Sequence, residues 1–266
     1  MGPGRRRSFS MSYKACSLTR RIFITLMTAA LVLSACQPEF NTATMAAPQV
    51  WRVQVSPAVR WLGPIFNQCI KSLSGTVLLY DEKPAGALDP SKADFTISLQ
   101  PAAGAAYTAI LGRSELVLVV NPANPVNQLS QADLLAIYNG KVSAWADLAK
   151  ADCPDCAASP LKAIQPYVYA SGDEVARIFE GLFSSLSHKL VNGILAPNPQ
   201  AVLQAVAADP QAIGYLPTAW VDSTVKTVKI SDLPDEGLRF PLVLSATAEP
   251  QGARLSWLLC VQDAIQ

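Results

Sequence analysis

The sequence has little histidine and lacks the short motifs that usually mark an enzyme. His188 is the only histidine among 266 residues, and no G-x-S-x-G segment occurs, so a hydrolase with a Ser-His-Asp triad is not expected. His188 stands beside Lys189 near the end of a predicted helix, where the helix dipole favours a cation, and we interpret it as a surface residue. The sequence therefore predicts no enzyme activity, no metal site and no cofactor.

Acidic residues are absent from the start of the chain, where the first is Glu39. The six bases before residue 36 leave 15 Lys and Arg residues against 20 Asp and Glu residues downstream, a net charge of −5. Binding to nucleic acid needs a basic face, so this mildly acidic body gives no support for it. Half of all residues are hydrophobic, which predicts a folded protein of one or two domains.

No apolar run is long enough to cross a bilayer comfortably. The run from Ile22 to Leu33 has about a dozen residues, whereas a transmembrane helix needs about 20. It follows a basic stretch and precedes the small residues Ser34 and Ala35, an order typical of an export signal. Residues 1–36 are therefore predicted to be a signal peptide, and residues 37–49 a flexible tether.

The end of the signal, Leu33-Ser34-Ala35-Cys36, resembles the lipobox of bacterial lipoproteins. This resemblance implies that Cys36 is lipidated and anchors the protein to the cell membrane. The alternative is an ordinary secretory signal with an incidental cysteine. Arg20 and Arg21 before the apolar run resemble a twin-arginine signal, so the export route stays open. Either route predicts a location outside the cytoplasm.

Cysteines are few, and their use depends on an oxidising compartment. Cys153 and Cys156 form a C-P-D-C segment that could be a redox pair, half of a metal site or a local disulfide. There is no second C-x-x-C and no histidine nearby, so we favour the local disulfide.

The remaining chain alternates strand and helix signals. Leu116–Val120 is an unbroken apolar run typical of a strand buried on both faces, and the prolines that follow end it. Ser130 and Asp133 nearly match a capping box, which predicts a helix that ends at Asn139 and Gly140. Such alternation favours βαβ units with a mostly parallel sheet.

Further elements are predicted on both sides of this stretch. Ser171 is expected to cap a helix, with Glu174 completing S-x-x-E. Strands are expected at 53–55, 76–80, 93–98, 167–169 and 212–216, and helices at 59–73, 171–186, 198–208 and 255–264.

Three ordered stretches resemble the PstS-like phosphate-binding proteins of bacterial ABC importers. These are NPANPV with the following IYNGK and W-x-x-L, YASGDEVARIF at 169–179 and DPQAIGYLP at 209–217, and they cover about the central third of the chain. The resemblance implies an α/β, two-lobed fold of the periplasmic-binding-protein class II, with a mostly parallel sheet and flanking helices in each lobe and two crossover strands. The first lobe would be 50–119 plus 219–266, and the second 120–218. Cys69 would pair with Cys260, joining the first helix to the last; two buried free thiols are the alternative.

Ligands of open α/β sheets bind beyond the carboxyl ends of strands, where loops and helix N-termini meet. In PstS-like proteins the corresponding loops hold phosphate through hydroxyl and N–H groups. The resemblance therefore implies a ligand site formed by Ser56, Ser98, Ser171, Gly172 and Asp173.

The sequence departs from the family at several of these places. Asp173 replaces a threonine and Glu174 follows it, and two carboxylates would repel phosphate. Tyr167 stands where the family commonly has an arginine, and Leu99 follows Ser98 where an aspartate is expected. Helix capping alone would also explain Ser171 and Asp173.

The leading hypothesis is an extracytoplasmic, lipid-anchored solute-binding protein, expected to be a monomer. It would capture a small ligand, with phosphate or another oxyanion as the candidate, and deliver it to an ABC permease. The alternative is a surface sensory or interaction protein on the same scaffold, with a degenerate ligand site.

Overall fold

The computed structural model describes residues 47–148, 156, 161–183, 192–233 and 238–265. The predicted signal, Cys36, Cys153 and His188 lie outside the described residues. The first strand begins at Gln49, the last residue assigned to the tether. In the described ranges, no helix is both long and apolar enough to cross a membrane.

Strands and helices alternate along most of the described chain. The strands are β1 Gln49–Val55, β2 Thr76–Glu82, β3 Phe95–Ser98, β4 Tyr107–Val120, β5 Gln128–Leu129, β6 Gln165–Val168, β7 Ile194–Leu195, β8 Ala212–Pro217, β9 Lys226–Ile230 and β10 Arg239–Ala246. The α-helices are α1 Gly63–Ile70, α2 Gln131–Tyr138, α3 Glu174–Gly181, α4 Pro199–Ala208 and α5 Ala253–Ile265.

Eight of these ten strands form one hydrogen-bonded path in the order β2-β1-β3-β10-β4-β8-β6-β7, and β5 and β9 lie off this path. β1 is parallel to β2 and β3, and β6 is parallel to β7 and β8. The two parallel groups are joined through β4, which is antiparallel to β10 and β8. We call the part of the sheet with β1, β2, β3 and β10 the first lobe and the part with β6, β7 and β8 the second lobe. The predicted two-lobed α/β fold is confirmed.

β4 passes from one lobe to the other. Its residues up to Glu115 pair with β10, and its residues from Leu116 pair with β8. The strand predicted at Leu116–Val120 is thus the last five residues of a 14-residue strand. β9 lies within residues 219–266, which were assigned to the first lobe. It nevertheless pairs with the end of β4 and with β5, which lies within residues 120–218. The residue limits of the two lobes stay a prediction.

The helix caps agree with the sequence in one case and differ in another. Ser130 and Asp133 form the predicted capping box at α2, and Gly140, with φ of 70°, follows the helix end. Ser171, however, does not cap α3, so that prediction is wrong. Gly172 adopts a φ of 86°, a conformation suited to glycine, and Asp173 then takes the capping position. The side chain of Asp173 accepts hydrogen bonds from the N–H groups of Val175 and Ala176.

A disulfide joins Cys69 in α1 to Cys260 in α5, the pairing that the resemblance implied. Trp257 of α5 packs against Phe66 and Phe95, so the two terminal helices share the core of the first lobe. Cys156 is also disulfide-bonded. Its predicted partner, Cys153, lies outside the described part of the chain.

Candidate functional site

A buried carboxylate bridges the two lobes at the carboxyl ends of β1 and β3. Glu174 is the first residue of α3, and its side chain accepts two hydrogen bonds from the first lobe. The hydroxyl of Ser56 donates to Oε1, and the backbone N–H of Leu99 donates to Oε2 over 2.8 Å. Glu174 is only 1% exposed and Ser56 is fully buried. Both oxygens of one carboxylate are therefore held by donors from two different loops.

The two donors are fixed by the sheet of the first lobe. Ser56 follows β1, and its own N–H donates to the carbonyl oxygen of Ile97 in β3 over 2.9 Å. Leu99 follows β3, and its side chain is buried in the core. Because β1 and β3 are parallel neighbours, their carboxyl ends lie side by side. A hydroxyl and an amide N–H consequently point to the same place.

The acceptor, Glu174, belongs to a helix that packs in the second lobe. Phe179 of α3 stacks on Tyr215 of β8 at 3.8 Å between ring centroids and meets Tyr138 of α2 edge to face at 5.1 Å. These aromatic side chains are fully or almost fully buried. α3 therefore belongs to the second-lobe core, and Glu174 reaches from that core to the first lobe.

Burial is the main influence on the charge of Glu174. It raises the pKa of this carboxyl to about 7, while the hydrogen bonds from Ser56 and Leu99 oppose the rise. The neighbouring carboxylate of Asp173 raises this pKa further, and the guanidinium of Arg177 lowers it. Burial also raises the pKa of Asp173 itself, against the effect of its two capping hydrogen bonds. Glu174 can thus change its protonation state near neutral pH.

The five residues predicted from the sequence to form the site are placed differently. Ser56 is a direct donor at the contact. Ser98 is buried nearby in sequence, but its hydroxyl donates to the carbonyl oxygen of Gln100 over 2.6 Å. Ser171 and Gly172 are exposed in the turn before α3, and Asp173 is occupied with capping. The ligand roles of all five stay a prediction.

Sequence reasoning missed the two other members of the contact. Glu174 was assigned to a local capping box, and the backbone N–H of Leu99 leaves no signal in the side-chain sequence. One signal was present in the sequence. Glu174 is an acidic residue at the start of a helix, and at this place the resembled family binds an anion.

No group of side chains among the described residues has the composition to hold a metal ion. Ser56 and Leu99 are instead suited to binding an anion. A hydroxyl and an N–H are donors, and both are directed at the oxygens of one carboxyl group.

Comparison with solved structures finds the same fold in proteins of low sequence identity. A proposed phosphate ABC transporter substrate-binding protein of Clostridium perfringens with bound phosphate is 15% identical, with a TM-score of 0.64 over 80% of this chain and 93% of that chain. An ABC-type phosphate transport receptor of Vibrio cholerae is 17% identical, with a TM-score of 0.54 over 79% and 93%. The CcmR regulatory domain of Synechocystis in complex with 2-PG is 11% identical, with a TM-score of 0.58 over 82% and 98%.

These similarities concern the fold, which transport receptors share with regulatory domains. Comparison with curated protein sequences finds no match. The family model that describes the PBP superfamily domain matches residues 85–251, which include β4, all three strands of the second lobe and Glu174. With more than half of its length matched and the two-lobed sheet in place, the chain belongs to the PBP superfamily.

Proposed function

We propose that the protein is an exported, lipid-anchored solute-binding protein that takes a small oxyanion between its lobes for an ABC importer. One observation carries the proposal. The hydroxyl of Ser56 and the N–H of Leu99 converge on a single carboxylate, so the first lobe already presents a pair of donors to negatively charged oxygens. An oxyanion such as phosphate offers the same acceptor chemistry.

The position of the donor pair supports binding in a crevice between lobes. Both donors follow the carboxyl ends of parallel strands, which is where open α/β sheets bind ligands. β4 connects the lobes, and rotation about this strand would open and close the crevice. The permease would recognise the closed form.

The sequence supports export and anchoring. The basic stretch, the short apolar run and Leu33-Ser34-Ala35-Cys36 provide a lipoprotein signal, and residues 37–48 would let the folded part stand off the membrane. Replacement of Cys36 by serine should move the protein from the membrane fraction to the soluble extracytoplasmic fraction. Retention of Cys36→Ser in the membrane fraction would contradict the anchor.

Ligand binding is tested by isothermal titration of the purified protein with phosphate, sulfate, nitrate and acetate. We expect heat of binding with at least one of these oxyanions, and we expect Ser56→Ala to weaken that binding about ten-fold or more, because a charge-assisted hydrogen bond is lost. Ser223→Ala is the matched control, since Ser223 is exposed in a surface turn. Binding that Ser56→Ala leaves unchanged would place the ligand elsewhere.

One observation favours a second candidate, a surface sensory or interaction protein with a degenerate ligand site. Glu174 accepts hydrogen bonds from both donors, so the chain itself supplies the acceptor that a ligand would otherwise provide. The absence of binding to every compound of the oxyanion panel, and to sugars and amino acids as well, would favour this candidate over import.

A further inference from the structure

The carboxylate of Glu174 makes the contacts expected of a bound oxyanion, although it is a side chain of the protein itself. Its two oxygens each accept one hydrogen bond from the first lobe, as two oxygens of a small oxyanion would. Ser56 is 118 positions and Leu99 is 75 positions before Glu174 in the sequence. The contact is therefore not a consequence of local helix geometry.

Burial leaves no place for a second anion beside this carboxylate. Glu174 is 1% exposed, Leu99 is 1% exposed and Ser56 is fully buried. An oxyanion that used the same donors would lie within a few ångströms of the carboxylate, and two like charges at that distance in a buried site repel strongly. The ligand and Glu174 therefore exclude each other from the donor pair.

Because Glu174 is part of the chain, it competes for the two donors more effectively than a free carboxylate would. α3 is packed into the second lobe through Phe179, and the donors belong to the first lobe. The carboxylate is thus held at a high effective concentration near its donors. While it stays bound, it also connects the lobes.

We propose that Glu174 is a tethered anion that occupies the crevice in place of the ligand and holds the two lobes together until a ligand displaces it. The inference rests on the proposed function, since it assigns the regulation of the same anion site. It makes Glu174 a residue that determines specificity. Compounds that accept hydrogen bonds weakly, such as neutral sugars, cannot compete with a carboxylate for these donors, whereas an oxyanion can.

Phosphate titration of Glu174→Ala and Glu174→Gln at about pH 8.5, where Glu174 of the wild-type protein, with its pKa of about 7, is ionised, tests the competition. Glu174→Ala should bind phosphate about ten-fold or more tightly than the wild-type protein, because the tethered competitor is gone, and Glu174→Gln should also bind more tightly than the wild-type protein, because its neutral amide no longer repels an anion. Glu180→Ala is the matched control, since Glu180 is exposed on the same helix, and it should bind as the wild-type protein does. Thermal melting of each variant checks that it is folded. Equal phosphate affinity of the wild-type protein and both Glu174 variants would overturn the competition.

A distance measurement without ligand tests the connection between the lobes. Spin labels on cysteines introduced at Ala248 and Gln204, exposed positions in the first and second lobes, report the separation by pulsed electron resonance. Glu174→Ala should give a longer or broader distance distribution than the wild-type protein, and phosphate should narrow it again. An unchanged distribution in Glu174→Ala would overturn the tether.

The two readouts separate failure of this inference from failure of the proposed function. Phosphate binding of equal strength in all proteins, with unchanged distances, would overturn the role of Glu174 and leave anion binding in place. Separation of the lobes in Glu174→Ala, with no binding of any oxyanion by any variant, would overturn the proposed function and support the tether.

Discussion

The titration of Glu174 should be measurable as a pH-dependent loss of stability. Its pKa is about 7 in the folded protein against an ordinary value of 4.5, so the folded state retains a proton that the unfolded state has released between these pH values. Stability therefore falls as pH rises from about 4.5 to 7 and levels off above 7. The difference of about 2.5 units corresponds to a loss on the order of 3 kcal/mol, since one unit is worth about 1.4 kcal/mol.

The assay is urea unfolding at a series of pH values for the wild-type protein and Glu174→Gln. Glutamine keeps the size of the side chain but does not titrate, and subtraction of the two curves removes the effect of all other ionisable groups that the substitution leaves unchanged. The wild-type protein should lose stability relative to Glu174→Gln as pH rises through this window. Ser223→Ala, changed at an exposed position that does not titrate, should run parallel to the wild-type protein. A difference curve that is flat, or that rises with pH, would refute the assignment of Glu174 as a buried carboxyl with a raised pKa.

Four other substitutions test the packing that positions the site. Asp173→Ala should lower the free energy of unfolding by about 1 kcal/mol in urea titration, through loss of the α3 cap, whereas Ser171→Ala should change it little. Gly214→Ala should cost about 1–3 kcal/mol in the same assay, because its Cβ would lie 2.4 Å from a methyl carbon of Val202; a neutral result would contradict the close packing of α4 on β8. Cys69→Ser should lower the free energy of unfolding by about 2–5 kcal/mol under oxidising conditions, because the disulfide closes most of the chain into a loop. Under reducing conditions, this variant should be as stable as the reduced wild-type protein.

The parts of the fold that local sequence determines were predictable. α2 is a clear case, because the side chain and N–H of Ser130 and Asp133 satisfy each other within one turn. β4 was predictable only in its last five residues, Leu116–Val120, which are apolar throughout. Its preceding part, from Tyr107, consists mostly of exposed and half-buried residues and contains Arg113 and Glu115, so it has no comparable apolar run.

The candidate site could be predicted only in part, because its decisive contacts are distant in sequence. Ser56 was identified from its place after a strand. Glu174 was interpreted locally, since S-x-x-E before an apolar stripe is the usual sign of a capping box. The backbone N–H of Leu99 becomes a donor only through the position of β3, and Gly172 moves the cap from Ser171 to Asp173. Tertiary packing, not local propensity, decides the contact made by Glu174, the donor role of the Leu99 N–H and the position of the α3 cap.

A crystal structure of Glu174→Ala grown with phosphate tests whether Glu174 occupies an anion site formed by Ser56 and Leu99. We expect a phosphate between the lobes, with its oxygens within hydrogen-bond distance of the Ser56 hydroxyl and the Leu99 N–H. A structure with only water at these two donors, under conditions in which phosphate is present in large excess, would contradict it.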